Sequence, residues 1–377
     1  MKRDKSTPEA LRLNLALQGG GAHGAFTWGV LDRLLEEDRF AVNAVSGTSA
    51  GAMNAAALVS GLMRGGREEA RRSLESFWRK VSSRSRFNPF NMSTAQAVLS
   101  SLGIDRDTLP ALFSSGTPLF SPYDLNPAGF NPLREIIQDT VDLEAIARAP
   151  IGLYVTATHV ASGEARIFSN DAISADVLLA SACLPALFHA VEIDGAFYWD
   201  GGYTGNPSLM PLVPDTGASD LLLVQTSPTW RADVPQDARQ IALREKEISF
   251  NAPLIKDLRL LAELQRQACR KPPVKRVGFL SGRGKGKGKT VEHLTAHSAI
   301  ADLRLHRITG AGMNGRSGQS KLNSAWAFLK ELRDEGRHAA GEFLTIHGRD
   351  LGHRSSLDLT GFLQSGAETT ETKAKAS

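Results

Sequence analysis

The order of hydrophobic and polar positions near the start of the chain predicts two strands alternating with two helices. Residues 11–17 alternate and then become continuously apolar, and residues 40–45 form a second apolar run, so both are predicted strands. Residues 25–37 repeat apolar side chains at helical spacing, and residues 50–62 are rich in alanine, leucine and methionine. This order predicts an α/β sandwich, in which helices cover both faces of a mainly parallel sheet.

The same patterns continue through the rest of the chain. Further strands are predicted at residues 151–159, 221–225 and 303–308, with a hairpin at 191–199 that turns at Asp194-Gly195. Further helices are predicted at residues 67–81 and 320–347, and residues 241–267 are predicted to form either one long helix or a pair of helices around Pro253. Residues 82–132 lack either period, which is typical of a binding loop or lid and equally of a surface insertion without function.

Composition and charge exclude several classes of protein. The 377 residues carry a net charge of +4, which is too small to indicate nucleic-acid binding. Cys183 and Cys269 lie too far apart for metal-type spacing, so we expect no structural metal and a reducing compartment. The polar residues 1–10 lack the apolar core of a signal peptide, and polar side chains interrupt the apolar stretch 41–63. We therefore expect a cytoplasmic protein whose membrane contact, if any, is peripheral.

A glycine-rich turn follows the first predicted strand. Gly19, Gly21 and Gly24 satisfy G-x-G-x-x-G, the fingerprint of dinucleotide sites, in the expected strand–turn–helix context. That fingerprint needs an acidic residue near the end of the next strand to bind the ribose. Here the next strand ends in Val45-Ser46-Gly47 without one. The other function of such a turn is to present backbone N–H groups to a developing oxyanion.

A second glycine-framed turn follows the second predicted strand. Gly47-Thr48-Ser49-Ala50-Gly51 matches G-x-S-x-G, the nucleophile elbow, in which a serine is exposed on a strained turn between a strand and a helix. The motif occurs by chance in many chains, but its position between an apolar strand and an alanine-rich helix favours a catalytic Ser49. The N-terminus of that helix would also favour the serine alkoxide.

A serine nucleophile needs a base, and the sequence offers an aspartate more convincingly than a histidine. Six of the nine histidines follow Asp200 in the chain, but none of these six lies in a short glycine-flanked loop after a clear strand. His159 and His189 precede Asp200, and His23, at the glycine-rich turn, is more simply a residue at the start of a helix. Asp200 follows a predicted strand and precedes Gly201-Gly202, which lets the backbone turn sharply. A turn aspartate without catalytic function remains the alternative.

Together these segments resemble the patatin-like phospholipase family of serine acyl hydrolases. The glycine-rich oxyanion loop of the family is similar to Gly19–Gly24, its elbow to Gly47–Gly51 and its D-G-[GA] motif to Asp200-Gly201-Gly202. Asn206-Pro207 and residues 181–185 also resemble family members. The resemblance covers residues 11–226. It leaves a flexible N-terminus at 1–10, a mostly helical extension at 227–363 like that of some bacterial members, and a disordered tail at 364–377.

The resemblance implies a mechanism and its residues. Ser49 would be the nucleophile and Asp200 the general base of a Ser-Asp dyad, and backbone N–H groups of Gly19, Gly20 and Gly21 would form the oxyanion hole. The supporting motif glycines would be Gly24, Gly47, Gly51, Gly201 and Gly202. The reaction would be phospholipase A-type hydrolysis of acyl esters in lipid degradation, without a cofactor or metal. The family commonly has Asp or Gly in place of Gln18, and Arg or Lys in place of His23, so headgroup preference does not transfer.

Two further features bear on function. Residues 270–289 carry eight positive charges without an acidic residue, which indicates either contact with an anionic membrane or a solvated flexible linker. Two rival functions share the motifs: an esterase acting on non-lipid esters such as short polyester oligomers, and a membrane-surface binding protein with a vestigial hydrolase site.

Overall fold

The computed structural model describes residues 10–85, 121–213, 218–231, 234–270, 299–310, 312, 318–359 and 361. Most of the irregular segment, the basic stretch at 271–289, the two ends of the chain, and the histidines at 293 and 297 lie outside these ranges. Within the described residues, none of the helices is long and apolar enough to cross a membrane.

Eight strands and eight helices organise the described residues. The strands are β1 (Leu11–Leu17), β2 (Phe40–Gly47), β3 (Gly152–His159), β4 (Ala165–Ser169), β5 (Val191–Ile193), β6 (Ala196–Asp200), β7 (Asp220–Gln225) and β8 (Arg304–Thr309). The helices are α1 (Gly24–Leu34), α2 (Ala50–Ser85), α3 (Pro122–Leu125), α4 (Pro132–Thr140), α5 (Leu143–Ala147), α6 (Ala175–Ser181), α7 (Ala238–Arg270) and α8 (Trp326–His347).

All eight strands form one mixed, mostly parallel sheet. Its order is β5-β6-β3-β2-β1-β7-β8, with β4 paired to β3 off this path. The strands from β3 to β8 along this order run parallel, whereas β4, β5 and β6 pair antiparallel. The predicted hairpin is confirmed, and positive φ angles of 54° at Asp194 and 77° at Gly195 form its turn. The sequence did not predict β4, because four of its five residues are exposed and the strand has no apolar alternation.

Alternate residues of the central strands are buried in two separate cores, one on each face of the sheet. This confirms the predicted three-layer α/β sandwich. Leu13, Leu15 and Leu17 of β1 face a core that they share with α1, α2 and α8. Ala16 of β1 faces the opposite core, which is filled by leucines of β7 and α7. Because strand side chains alternate between faces, each central strand contributes to both layers.

The long helices follow the predicted segments with two adjustments. The helices predicted at 50–62 and 67–81 are joined as α2, which is broken at Gly65 and Gly66, where Gly66 has a φ of 69°. The helix predicted around Pro253 is continuous through that proline as α7.

The C-terminal region is integrated into the same fold. Residues of β8 pair in parallel with β7 at the edge of the sheet, and α8 packs closely along α1. A methyl group on Gly29 of α1 would lie 1.9 Å from the carbonyl oxygen of Arg333, and one on Gly336 of α8 would lie 2.0 Å from that of Phe26. The two helices therefore cross at a distance that glycine alone permits at these positions.

This crossing generates a test of stability. We expect Gly336→Ala to lower the free energy of unfolding by about 1–3 kcal/mol, because the added methyl group forces α1 and α8 apart. Urea denaturation measures the change. Gly341→Ala on the same helix is the matched control, because its methyl group would have no atom within 4 Å. Helix propensity alone predicts that the control gains about 0.5–1 kcal/mol. Equal effects of the two substitutions would contradict the close crossing.

Candidate active site

Ser49 occupies a strained turn between β2 and α2. Its φ of 56° lies in the left-handed region, which costs a residue with a side chain about 1–3 kcal/mol and is concentrated at functional sites. The side chain is half-buried, one residue before α2 begins at Ala50. The positive end of the helix dipole therefore lies beneath the Ser49 hydroxyl.

The flanking glycines are required by close contacts with backbone. A methyl group on Gly47 would lie 2.6 Å from the carbonyl oxygen of Gly51, and one on Gly51 would lie 2.1 Å from that of Leu17. The Ser49 amide donates a hydrogen bond of 3.0 Å to the hydroxyl of Ser181 at the end of α6. The close backbone contacts of Gly47 and Gly51 and the hydrogen bond that Ser49 donates to α6 together hold the elbow in place.

Strand pairing brings Asp200 to the same place. β2 and β4 lie on opposite edges of β3, because both pair with Tyr154 and Val155. β4 and β6 likewise lie on opposite edges, so β6 continues along the edge that β2 leaves. Gly47 pairs with Val155, and Asp200 pairs with Ala157 two residues further on. Two residues of strand span roughly 7 Å, so Asp200 lies just past the end of β2, where the elbow begins.

The Asp200 carboxylate is buried, and only one of its two oxygens accepts a hydrogen bond from the described residues. Its Oδ1 accepts a hydrogen bond of 2.7 Å from the Gly202 amide, whereas Oδ2 has no hydrogen-bond partner among the described residues. Burial raises the pKa of Asp200 to about 7, although the Gly202 amide and the Ser49 hydroxyl both lower it. Because the Ser49 hydroxyl is one of the groups that lower the pKa of this carboxyl, it lies beside the carboxylate. A buried acceptor without a donor is costly, and such groups are concentrated where chemistry uses them.

The glycine-rich turn lies directly beside Ser49. A methyl group on Gly19 would lie 2.8 Å from the Cβ of Ser49. The Gly19 amide donates a hydrogen bond of 2.8 Å to Oδ1 of Asn206, so this amide already has a partner. No hydrogen bond from the amides of Gly20 and Gly21 is formed within the described residues. Of the three amides predicted to form the oxyanion hole, that of Gly19 is thus bonded to Asn206, and those of Gly20 and Gly21 have no partner among the described residues.

Gln18 fixes the other side of this turn. It is fully buried, its Oε1 accepts hydrogen bonds from the amides of Thr226 and Ser227, and its Nε2 donates one to Asn251 of α7. The residue that departs from the family pattern therefore joins the turn to β7 and α7. No local pattern predicts this function of Gln18, because all of these partners are distant in the chain.

The 3₁₀ turn Gly318–Leu322 also supports the glycine-rich turn. Nε2 of His23 lies 2.7 Å from the hydroxyl oxygen of Ser320. Gly21, with a φ of 58°, packs against the backbone of Lys321, whose carbonyl oxygen would lie 2.4 Å from an added methyl group. His23 is thus a buried support of the turn rather than a group aimed at the serine.

No hydrogen bond joins any of the described histidines to Ser49 or Asp200. His189 stacks on Tyr123, His306 pairs with Asp220, and His347 pairs with Asp350. Within the described part of the chain, no group of three or more His, Cys, Asp or Glu side chains is arranged to hold a metal ion.

The sequence motifs include two residues, Asn206 and Ser181, whose supporting function only the structure reveals. Asn206 anchors Gly19, and its Nδ2 donates a hydrogen bond of 3.1 Å to the carbonyl oxygen of Phe250 in α7. Ser181 holds the amide of Ser49. The proximity of Asn206 and Ser181 to motif residues in the sequence was a signal, but it did not reveal what either side chain contacts.

Comparison with known proteins places the chain in a family. The family model described as patatin-like phospholipase matches residues 15–213, which is more than half of the chain. A search of curated proteins found no significant match. Among solved structures, VipD from Legionella pneumophila is similar at 16% identity, covering 88% of this chain and 68% of VipD, with a TM-score of 0.33. A structure of ExoU in complex with SpcU, from the type III secretion system of Pseudomonas aeruginosa, is similar at 13% identity, covering 92% of this chain and 80% of the other, with a TM-score of 0.25. On the strength of the family match, the chain belongs to the patatin-like phospholipase family.

Proposed function

We propose that the protein is a serine hydrolase that cleaves acyl ester bonds of phospholipids and other lipids through Ser49 and Asp200. Membership of the family supports a lipid acyl hydrolase in general terms. The observation that carries the specific proposal is the buried carboxyl of Asp200, whose Oδ2 has no hydrogen-bond donor among the described residues and which lies close enough to Ser49 for the serine to lower its pKa. An acceptor in this position is suited to take the proton of the serine.

The first half of the reaction forms an acyl-enzyme. As the Ser49 oxygen attacks the ester carbonyl, its proton passes to Oδ2 of Asp200. The negative charge moves to the carbonyl oxygen, where the amides of Gly20 and Gly21 donate hydrogen bonds to it. When the tetrahedral intermediate collapses, the ester C–O bond breaks and the protonated Asp200 gives its proton to the departing alcohol.

The second half releases the acid and restores the enzyme. Asp200, ionised again, takes a proton from water as the water oxygen attacks the acyl carbonyl. Collapse of the second tetrahedral intermediate returns that proton to the Ser49 oxygen. A base with a pKa of about 7 is suited to both steps, because general bases act best when their pKa lies near the working pH.

Replacement of the two dyad residues tests the chemistry. We expect Ser49→Ala to abolish both hydrolysis of phospholipid and labelling by a fluorophosphonate probe, and Asp200→Asn to lower kcat by at least about a thousandfold. Turnover and labelling are measured on the full chain with a lipid panel and a panel of short polyester oligomers. Undiminished hydrolysis by Ser49→Ala would overturn the mechanism. Turnover of the polyesters alone would assign the site to non-lipid esters, and no labelling of the wild-type chain would indicate a vestigial site.

The raised pKa of Asp200 predicts the pH dependence of catalysis. The carboxyl is protonated below about pH 7 and ionised above it, so kcat/KM should rise with pH with an apparent pKa of about 7. The measurement uses a soluble ester that does not itself ionise over that range. A profile that is flat or falls as the pH rises would contradict the assignment of Asp200 as the base.

Thermal melting of Asp200→Asn supplies the control for that pH profile. Because the folded-state pKa of Asp200, about 7, lies above its ordinary value of 3.8, the stability that this carboxyl contributes falls as the pH rises from about 4 to about 7, and the loss is complete above that range. The variant lacks this ionisation, so its gain in melting temperature over wild type should be larger at alkaline than at acidic pH. The two measurements thus report the same carboxyl group through independent signals.

Asn206 is predicted to position the oxyanion loop. We expect Asn206→Ala to lower kcat by about tenfold to a hundredfold with little change in KM, which is less than the loss of an oxyanion donor itself. Asn170→Ala is the matched control, because Asn170 also fixes a backbone amide, that of Leu153 at 2.9 Å, but at the opposite end of β3. The control should lower the free energy of unfolding and leave kcat unchanged. Equal values of kcat in Asn206→Ala and wild type would refute the positioning function.

A further inference from the structure

A groove runs along α7 beside the candidate active site. Its volume is about 390 Å³. Thr229, from the segment that follows β7, forms one wall, and one face of α7 forms the other with apolar Ile248 and Ile255 and cationic Lys256 and Arg259. The groove lining therefore combines apolar side chains with three positively charged ones, Arg244, Lys256 and Arg259. We call it the α7 groove.

The α7 groove is tied directly to the residues around the dyad. The ring of Phe250 packs against Gly202, where an added methyl group would lie 2.4 Å from it, and the carbonyl oxygen of Phe250 accepts the hydrogen bond from Asn206. Asn251, which lines the groove, accepts a hydrogen bond of 2.9 Å from Gln18 beside the oxyanion loop. One helix thus contacts the site on its inner side and forms the groove on its outer side.

Large apolar side chains surround this region in exposed positions. Trp230 is 59% exposed, Ile248 53% and Tyr203 41%. Trp230 follows Thr229 of the groove wall, and the ring of Tyr203 packs on Phe250 at 4.8 Å between ring centroids. Single exposed apolar side chains are ordinary, but a set gathered at the edge of one site indicates contact with an apolar partner.

The charges facing the groove leave a net positive surface. The buried carboxylate of Glu247 is shared by Arg231 and Arg244, so one negative charge meets two positive charges. Asp257 turns away from the groove and accepts a hydrogen bond from the Leu209 amide. No ion pair with either Lys256 or Arg259 forms among the described residues, so both cations are available to an anionic partner.

We propose that the α7 groove and its exposed rim, Tyr203, Trp230 and Ile248, form the surface by which the protein docks on a bilayer of anionic phospholipid. Lys256 and Arg259 contact lipid phosphates, while the rim side chains enter the boundary between headgroups and acyl chains. This docking places Ser49 and Asp200 at the membrane surface. This inference rests on the proposed function, lipid hydrolysis. Binding to vesicles is nevertheless measured without turnover.

Vesicle binding by the Ser49→Ala full chain tests the surface. We expect this protein to sediment with phosphatidylcholine vesicles that contain phosphatidylglycerol more strongly than with phosphatidylcholine alone. Adding Lys256→Gln and Arg259→Gln should weaken binding to the anionic vesicles about 20- to 30-fold, since each cation near an anionic membrane contributes about fivefold. Trp230→Ser with Ile248→Ser should weaken binding to both kinds of vesicle.

The matched control removes the same number of positive charges from outside the α7 groove. Arg148 and Arg349 are both exposed, and they lie near the starts of β3 and β1. Their double change to glutamine should leave vesicle binding unaltered. Melting temperatures of all variants establish that each is folded. Equal binding of the Lys256/Arg259 variant and its parent to anionic vesicles would overturn the inference. Binding of glycerol phosphate at the α7 groove without vesicle binding would also overturn it, because the surface would then be a site for a soluble anion.

Turnover of a soluble ester separates this inference from the proposed function. The Lys256/Arg259 variant carrying the native Ser49 should hydrolyse a monomeric short-chain ester at the wild-type rate and anionic vesicles more slowly. If wild type hydrolyses no ester but charge-dependent vesicle binding persists, the proposed function fails and the docking surface stands. If soluble esters are hydrolysed but vesicle binding does not depend on Lys256 and Arg259, the proposed function stands and the docking surface fails.

Discussion

The candidate site depends on the way two strands share one edge of β3. β2 pairs with the first half of that edge and ends at Gly47, and β6 pairs with the remaining half in the antiparallel direction. The end of a parallel strand therefore meets the end of an antiparallel strand, and each chain must turn away at the same point. Ser49 lies in one of these turns and Asp200 at the start of the other. Sheet register, rather than any direct bond between the two residues, sets their separation.

This arrangement stores unfavourable energy that the surrounding structure must offset. Ser49 has a left-handed backbone, and Asp200 is a buried carboxylate with one oxygen that has no hydrogen-bond donor in the described part of the chain. Glycine contacts with backbone, the hydroxyl of Ser181 and the amide side chain of Asn206 hold the turns in place. Strain and incomplete hydrogen bonding at one point of a well-packed fold are typical of sites that perform chemistry.

Support for the glycine-rich turn extends beyond the region that matches the family model, residues 15–213. Gln18 bonds to the amides that follow β7, Gly21 packs against Lys321, and α7 contacts both Asn206 and Gln18. β8 and α8 complete the sheet and its helical cover. The C-terminal region thus participates in shaping the site as well as in the core. The same helix, α7, provides the surface that we propose for docking on lipid.

The sequence by itself determined the strands, the long helices and the three motifs, because each is a local pattern of apolar periodicity or of glycines at fixed spacing. The sequence did not predict β4, since an exposed edge strand has no apolar alternation. Only the tertiary structure decided that Asp200 lies beside Ser49 and that Asn206 accepts the hydrogen bond of the Gly19 amide. It also decided that Gln18 and His23 are buried and support the glycine-rich turn. The physical reason is that these contacts join residues far apart in the chain. Strand register and close packing set their distances, and no local pattern encodes either.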